Sequence, residues 1–367
     1  MSVLSNSSNA DLRIVPGNNS QQRQAPRFRA RAPLRLGLAG GGTDLSPYSD
    51  NHGGVTLNVT IDRYAFASLA PRSDGKVILR ANDLRVEEVH EAGLLPMDSG
   101  LRLHRAVYNR IARQFLPHDP PALELSTSTE APAGSGLGSS SALVVAMVEA
   151  FREAFNLPLG LYDVAHLAFE IERIDLALEG GKQDQYAAAF GGINFIEFLS
   201  GDRVIVNPLR VGRAILNELE SSIVVCFTGQ SRASDAIIRD QIQAAERKGG
   251  KALEGMHALK QDAFDMKQAL LGGDIQMMAE ILDRSWMHKK TTANSVSNPL
   301  IETIYTVGRA NGARGGKVSG AGGGGFMMFI ADPENKPRLI RALAEAGGTP
   351  DKIIFTHAGV ESWQIPN

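Results

Sequence analysis

Apolar and polar residues along the chain recur with two different periods, and these periods predict a mixture of strands and helices. Apolar residues at every second position indicate half-buried strands, whereas apolar residues three and four positions apart indicate amphipathic helices. In the first half of the chain, helical spacing is clearest near residues 100–116 and 161–178. The strand-like patterns cover residues 32–38, 55–59, 63–71, 76–80, 123–127, 192–198 and 203–207.

From about residue 222 the patterns predict a strand, three or four helices, two strands, a helix and a final strand. Strands and helices do not alternate strictly and no internal repeat is visible, so we predict an α+β chain of two domains that meet near residues 200–220. We place these domains at 27–210 and 211–367. Residues 1–26 are rich in Ser, Asn and Gln, and we expect them to form a disordered tail.

A glycine-rich loop from Pro132 to Ala142 lies between the strand pattern at 123–127 and a helical pattern that includes Met147 and Phe151. Bare backbone N–H groups in such a loop, together with the helix N-terminus, can hold a phosphate. Serines at the start of the helix could cap it or offer a hydroxyl to a metal ion. An ordinary tight turn is the alternative interpretation. The loop lacks the lysine of the G-x-x-x-x-G-K-[ST] pattern, so if it binds a nucleotide, it does so in a different fold.

Two further glycine clusters lie towards the two ends of the chain. Gly40 to Gly42 precede Thr43 and Asp44, whose carboxylate could accept hydrogen bonds from sugar hydroxyls or could cap a helix. Near the other end, Lys317 to Phe326 include four consecutive glycines. Such a run loses much conformational entropy on folding, so we expect a backbone pressed against a ligand or another loop.

Composition narrows the classes of partner. The 38 Lys and Arg residues nearly balance the 40 Asp and Glu residues, so bulk charge predicts neither a nucleic-acid partner nor a membrane partner. Cys226 is the only cysteine among the 367 residues, which excludes an intrachain disulfide and suits a cytoplasmic location. No apolar run approaches the length of a membrane span. The oligomeric state stays open between monomer and homodimer.

The three clusters, in this order between Arg31 and Phe326, resemble the three motifs of the GHMP small-molecule kinases. The resemblance implies an N-terminal α/β domain with the phosphate loop and a C-terminal ferredoxin-like domain with added helices. It also implies ATP and Mg²⁺ as cofactors and a small-molecule phosphosugar as substrate. By motif position, the ATP-binding residues would be Pro132, Gly134, Ser135, Gly136, Leu137, Gly138, Ser139 and Ser140.

The same resemblance implies the roles of individual side chains. The metal ligands would be Ser140 and Glu172, with Glu170 as a competitor for the second position. Asp184 would accept the proton of the attacking hydroxyl, although an aspartate here could instead cap a helix. Arg35 would stabilise charge on the transferring phosphoryl group. The substrate-binding residues would be Gly41, Gly42, Thr43, Asp44, Lys317, Gly320, Ala321 and Gly322.

Within the family, the segments 40–48 and 181–188 are similar to those of bacterial heptose kinases, whereas galactokinases carry G-E-H-T-D at the first motif. The resemblance implies transfer to the anomeric hydroxyl of a heptose 7-phosphate, giving a 1,7-bisphosphate for nucleotide-activated heptose and surface polysaccharide synthesis. Candidate anchors for the substrate phosphate are Arg31, Lys289, Lys290 and Lys317. The alternatives are a kinase for fucose or an N-acetylhexosamine, a non-catalytic sensor of this fold, and a nicotinamide-dependent dehydrogenase.

Overall fold

The computed structural model describes residues 26–132, 134–229, 234–246 and 250–366. The disordered tail predicted for residues 1–26 therefore lies outside the described residues, except for Pro26. The strands are β1 (Arg27–Ala39), β2 (Gly54–Pro71), β3 (Lys76–Ala81), β4 (Val86–Glu91), β5 (Leu123–Thr129), β6 (Ile193–Phe198), β7 (Val204–Pro208), β8 (Ile223–Phe227), β9 (Ala313–Val318), β10 (Phe326–Ala331), β11 (Thr349–Asp351) and β12 (Glu361–Ile365). The helices are α1 (Tyr48–His52), α2 (Arg102–Phe115), α3 (Ser139–Phe155), α4 (Leu161–Glu170), α5 (Gln183–Phe190), α6 (Arg213–Ser222), α7 (Ser234–Glu246), α8 (Lys251–Gly272), α9 (Ile275–Thr292), α10 (Pro299–Ala310) and α11 (Lys336–Glu345).

Among the described residues, eight strands form the first sheet in the order β12-β1-β2-β5-β3-β4, with β6 paired to β2 and β7 paired to β6. The predicted strands at 55–59 and 63–71 are one continuous strand, β2, which pairs with β1 along almost its whole length. The pairing shifts register between Pro33 and Leu34, because Pro33 pairs with Tyr64 and Leu34 pairs with Ile61. The two residues left between these pairs are Asp62 and Arg63, the polar residues that separate the two apolar patterns of β2. Helix α3 packs on this sheet and buries its apolar face.

In the part of the chain that the structure describes, the second sheet has four antiparallel strands in the order β11-β8-β10-β9. Along the chain these strands and their helices follow a strand-helix-strand-strand-helix-strand order, with α7 to α10 inserted after β8. This order with this strand arrangement is the ferredoxin-like motif. The prediction of a ferredoxin-like second half with added helices is therefore confirmed.

The patterns predict one strand after the last helix, and β11 occupies that place. A further strand, β12, follows it and returns to the first sheet, where it pairs with β1. This strand was not predicted, because it is a short edge strand whose residues are all at least partly exposed. One apolar cluster also runs from the first sheet to α8, α9 and β10, including Met266, Met278 and Met328. The domain division at residue 210 stays a prediction, and strand β12 adds a segment of the second half to the first sheet.

The predicted helix at 161–178 ends early, because α4 stops at Glu170 and a single π-helical turn, Ile171–Asp175, follows it. Turns of this type occur often at functional sites, since they re-aim one side chain relative to the helix. No helix among the described residues has the length and apolar character needed to cross a membrane.

Candidate active site

A buried ion pair joins the first motif to the segment at the start of α5. Leu34 and Leu36 point into the core on either side of Arg35, and the Arg35 side chain is only 5 % exposed. Its Nε and Nη2 donate to Asp184 Oδ1 at 2.8 and 2.6 Å, and its Nη1 donates to the carbonyl of Gly136 at 2.6 Å. The paired carboxylate and the carbonyl make a buried guanidinium tolerable. Arg35 thus connects the predicted base to the glycine loop.

Asp184 does not cap a helix. It lies in the first turn of α5, whose N-cap is Lys182 and has no side-chain cap hydrogen bond. Its Oδ2 lies on the side facing the glycine loop, since a Cβ added to Gly138 would be 3.3 Å from this oxygen. One carboxylate oxygen is bound to Arg35. Because the side chain is still 23 % exposed, the carboxylate remains accessible from the cleft.

The glycine loop carries left-handed backbone at alternating positions. Gly134, Gly136 and Gly138 have φ of 71, 77 and 75°, a region that side chains rarely allow. Ser135 and Leu137 between them are buried, so the glycine backbone is what borders the cleft. The serines of the first turn of α3 do not cap it, because its N-cap is Gly138 with no side-chain hydrogen bond.

The third glycine cluster packs directly against this loop. Phe326 N donates to the carbonyl of Ser135 at 2.8 Å, and a Cβ added to Gly320 would be 2.7 Å from the Cα of Gly136. A Cβ on Gly136 would in turn lie 2.4 Å from the carbonyl oxygen of Ser319. Within the run of four glycines, a Cβ on Gly325 would lie 2.3 Å from the carbonyl oxygen of Ser135, so close approach between two loops explains the glycine at this position.

Ser140 and Glu172 lie side by side, with Ser140 Oγ donating to Glu172 Oε1 at 3.1 Å. The π-helical turn directs Glu172 to this position, and Gln185 Nε2 holds its other carboxylate oxygen at 2.5 Å. Glu170 points elsewhere and pairs with Arg110 at 2.8 Å. A hydroxyl and a carboxylate are the hard oxygen donors that Mg²⁺ takes, with water and phosphate oxygens as its remaining ligands. The pair fits Mg²⁺.

Asp44 is buried beside the start of α5. Its Oδ2 accepts from the backbone N of Gln183 at 3.1 Å, and its Oδ1 accepts from Gln183 Nε2 and from Gly42 N, both at 3.1 Å. A Cβ on Gly181 would lie 1.8 Å from Asp44 Oδ2, which explains the glycine at that position. Asp44 therefore fixes the turn of the first motif to the start of α5 and also borders the cleft.

The cleft has two compartments that meet at Arg35 and Asp184. The phosphate compartment contains the glycine loop, Ser140 and Glu172. The acceptor compartment lies on the other side of the ion pair, and no described residue of the glycine loop lines it. Its polar and charged lining residues are Arg35, Asp44, Gln183, Asp184, Gln241, Lys289 and Lys317, and its backbone walls include Gly41, Gly42, Gly320 and Ala321.

Some predicted residues do not line either compartment. Thr43 is fully buried, and its hydroxyl donates to the carbonyls of Gly40 and Val55. Gly322 packs against Val296 instead. The lining of the two compartments also lacks Pro132, Ser135 and Leu137. Among lining residues that were not predicted, Gln183 could have been found from its place beside Asp184, whereas Gln241 and Ile238 on α7 carry no motif.

Two lysines in the acceptor compartment have altered acidity. Burial, together with the positive charges of Lys289 and Arg35, lowers the pKa of Lys317 to about 7, although Asp262 opposes the shift. Burial lowers the pKa of Lys289 to about 8, against the opposing effect of Asp44. Both lysines are therefore poised to respond to the charge of whatever enters this compartment.

Comparison with known proteins agrees with this geometry. Residues 102–192 match the GHMP kinases N terminal domain, and residues 266–349 match the GHMP kinases C terminal domain. A D-glycero-alpha-D-manno-heptose 7-phosphate kinase of Campylobacter jejuni is 47 % identical over 92 % of this chain and 99 % of that one. The chain belongs to the GHMP kinase family, whose members use ATP as phosphoryl donor.

Solved structures lead to the same family. A D-glycero-D-manno-heptose 1-phosphate kinase from Bacteriodes thetaiotaomicron has a TM-score of 0.79 and 43 % identity, covering 93 % of this chain and 100 % of its own. A putative sugar kinase from Campylobacter jejuni has a TM-score of 0.76 and 44 % identity, covering 93 % of this chain and 99 % of its own. A mevalonate kinase with a TM-score of 0.72 is only 16 % identical and shares the fold alone.

Proposed function

We propose that this protein transfers the γ-phosphoryl group of ATP to the anomeric hydroxyl of D-glycero-D-manno-heptose 7-phosphate. The product would be heptose 1,7-bisphosphate, a precursor of nucleotide-activated heptose for surface polysaccharides. One observation carries the proposal: the Arg35–Asp184 pair lies where the phosphate compartment meets a cationic acceptor compartment. The relative that is 47 % identical supports the choice of sugar.

The residues divide the reaction between them. Asp184 accepts the proton as the anomeric oxygen forms its bond to the γ-phosphorus, and the bond from this phosphorus to the ADP oxygen breaks. Arg35 stabilises the charge that develops on the phosphoryl group, while the loop backbone from Gly134 to Ser139 orients the phosphates. Ser140 and Glu172 would hold Mg²⁺, which neutralises phosphate charge when it is bound.

The nucleotide base has a separate place in this proposal. An apolar cleft adjoins the phosphate compartment through Ser139, Ser140 and Leu178. Leu84, Leu143 and other apolar side chains line it, and an adenine ring would bury its faces there. The triphosphate would then run from this cleft along the glycine loop towards Asp184.

A substrate panel tests the proposal. Purified protein is incubated with ATP and Mg²⁺ and with heptose 7-phosphate, neutral heptose, fucose or an N-acetylhexosamine, and ADP release is followed by a coupled assay. We expect heptose 7-phosphate to give the highest kcat/KM. Turnover of phosphate-free sugars alone would assign the chain to another anomeric sugar kinase. Ligand binding without any turnover would indicate a sensor.

A further inference from the structure

Two lysine ammonium groups lie together in the acceptor compartment. Lys289 is in the last turn of α9 and Lys317 is in β9, and the two residues are only 2 and 5 % exposed. Both line the acceptor compartment, and neither lines the phosphate compartment. Their position therefore separates them from the ATP phosphates.

Each ammonium group has unused hydrogen-bonding capacity. Lys289 Nζ donates to the carbonyl of Gly41 at 3.2 Å, and Lys317 Nζ donates to the carbonyl of Gly37 at 2.7 Å. A lysine ammonium has three N–H donors, so these bonds account for one donor on each. Among the described residues, no carboxylate forms an ion pair within 4.0 Å of either group. Two buried cations without counter-charges are costly unless an anion joins them.

The acidic groups that face the two lysines already accept hydrogen bonds from other residues. Asp44 influences Lys289, and its oxygens accept from Gln183 and Gly42. Asp262 influences Lys317, and its oxygens accept from Arg284 and His288, each at 2.8 Å.

The nearby Arg35 is paired with Asp184 and adds positive charge to the region of both lysines. The compartment thus carries an unmatched positive charge, which a phosphate dianion would complement.

The other two candidate anchors are engaged outside this compartment. Arg31 is partly exposed and pairs with Glu361 at 2.7 Å. Lys290, the neighbour of Lys289, pairs with Glu302 at 3.3 Å and does not line the compartment. Of the four candidate anchors for the substrate phosphate, only Lys289 and Lys317 line the acceptor compartment.

We infer that Lys289 and Lys317 bind the phosphate group that the sugar substrate already carries, and that they make the enzyme prefer phosphorylated over neutral sugars. This inference rests on the proposed function, because it requires an acceptor sugar with a phosphate remote from the reacting hydroxyl. The acceptor then spans the compartment from the ion pair of Arg35 and Asp184 to the two ammonium groups.

The test measures a selectivity ratio, which is kcat/KM for heptose 7-phosphate divided by kcat/KM for neutral heptose. Lys289→Met and Lys317→Met keep a long side chain and remove the charge. We expect each to lower the ratio by about 10- to 100-fold, the effect of one hydrogen bond to a charged group. Lys290→Met is the matched control and should leave the ratio unchanged. ATP binding of each variant, measured by calorimetry, reports that the cleft has folded.

A measurement on the wild type keeps the inference testable if a variant does not fold. At saturating ATP, we expect inorganic phosphate to compete with heptose 7-phosphate. Phosphate that competes only with ATP would overturn the inference, as would variants that bind ATP and keep the wild-type ratio. A wild type that uses neutral sugars and rejects heptose 7-phosphate would overturn the proposed function as well, so the two failures are distinguishable.

Discussion

Replacement of Asp184 by asparagine is expected to lower turnover by about 10²- to 10⁴-fold, the usual contribution of a positioned base. This range corresponds to about 3–5 kcal/mol of transition-state free energy. Asparagine keeps the size of the side chain, but its amide oxygen does not take the proton of the attacking hydroxyl. The glycine loop, Ser140 and Glu172 are untouched, so ATP binding should change little.

The substitution also affects stability, because Arg35 loses its counter-charge. Asp184 Oδ1 accepts two of the Arg35 donors, at 2.8 and 2.6 Å, and a neutral amide accepts them more weakly. We expect a loss of about 1.5–3 kcal/mol in the free energy of unfolding, the range for hydrogen bonds to charged groups. Asp351→Asn is a matched control, since Asp351 pairs with Arg63 at 2.9 Å outside both compartments.

The assay follows ADP release with heptose 7-phosphate, and calorimetry with a non-hydrolysable ATP analogue measures nucleotide binding in parallel. We expect a large fall in kcat with nearly unchanged nucleotide affinity for Asp184→Asn, and wild-type values for both in the control. A variant with kcat within tenfold of the wild type would refute the assignment of Asp184 as the base. Equal loss of nucleotide binding would instead indicate a structural role.

Three further predictions concern the metal pair, the loop contact and the lysines. Ser140→Ala should raise the Mg²⁺ concentration for half-maximal activity by about 10- to 100-fold while heptose binding changes little, and an unchanged Mg²⁺ requirement would contradict the assigned ligand. Gly136→Ala should destabilise the fold in thermal unfolding far more than Gly75→Ala, because both have positive φ but only at Gly136 would the Cβ meet backbone, at 2.4 Å. Equal effects would show that the loop contact is unimportant. Since burial lowers the pKa of Lys317 to about 7 and that of Lys289 to about 8, both lose their protons in the free enzyme as pH rises past these values. The KM for heptose 7-phosphate should therefore begin to rise near pH 7 and rise more steeply above about pH 8, whereas a flat profile would argue against charged lysines.

The sequence could predict those elements whose pattern is local. Helix α2 and strands β3 and β5 follow their hydrophobic periods within a few residues. The fused strand β2 and the edge strand β12 could not be predicted in the same way, because each depends on pairing with β1. Long-range pairing overrides the local signal in both cases.

In the candidate site, too, some residues could be predicted from local sequence and others could not. The close backbone approach of Gly136 and Gly320 requires glycine at both positions. The glycine motifs in the sequence therefore predict this contact. The selection of Glu172 over Glu170 depends on a π-helical turn, which no periodic pattern reveals. Likewise, the separation of Lys289 from Lys290 follows from which side of α9 faces the cleft. Tertiary packing decides these choices.

The position of the new phosphate in the product tests the proposed reaction directly. Enzyme, ATP, Mg²⁺ and heptose 7-phosphate are incubated together, and phosphorus–proton correlation spectroscopy is recorded on the product. We expect a second phosphorus signal that is coupled to the anomeric proton. A new phosphorus coupled to any other proton of the sugar, or no new sugar phosphorus while ATP remains intact, would contradict it.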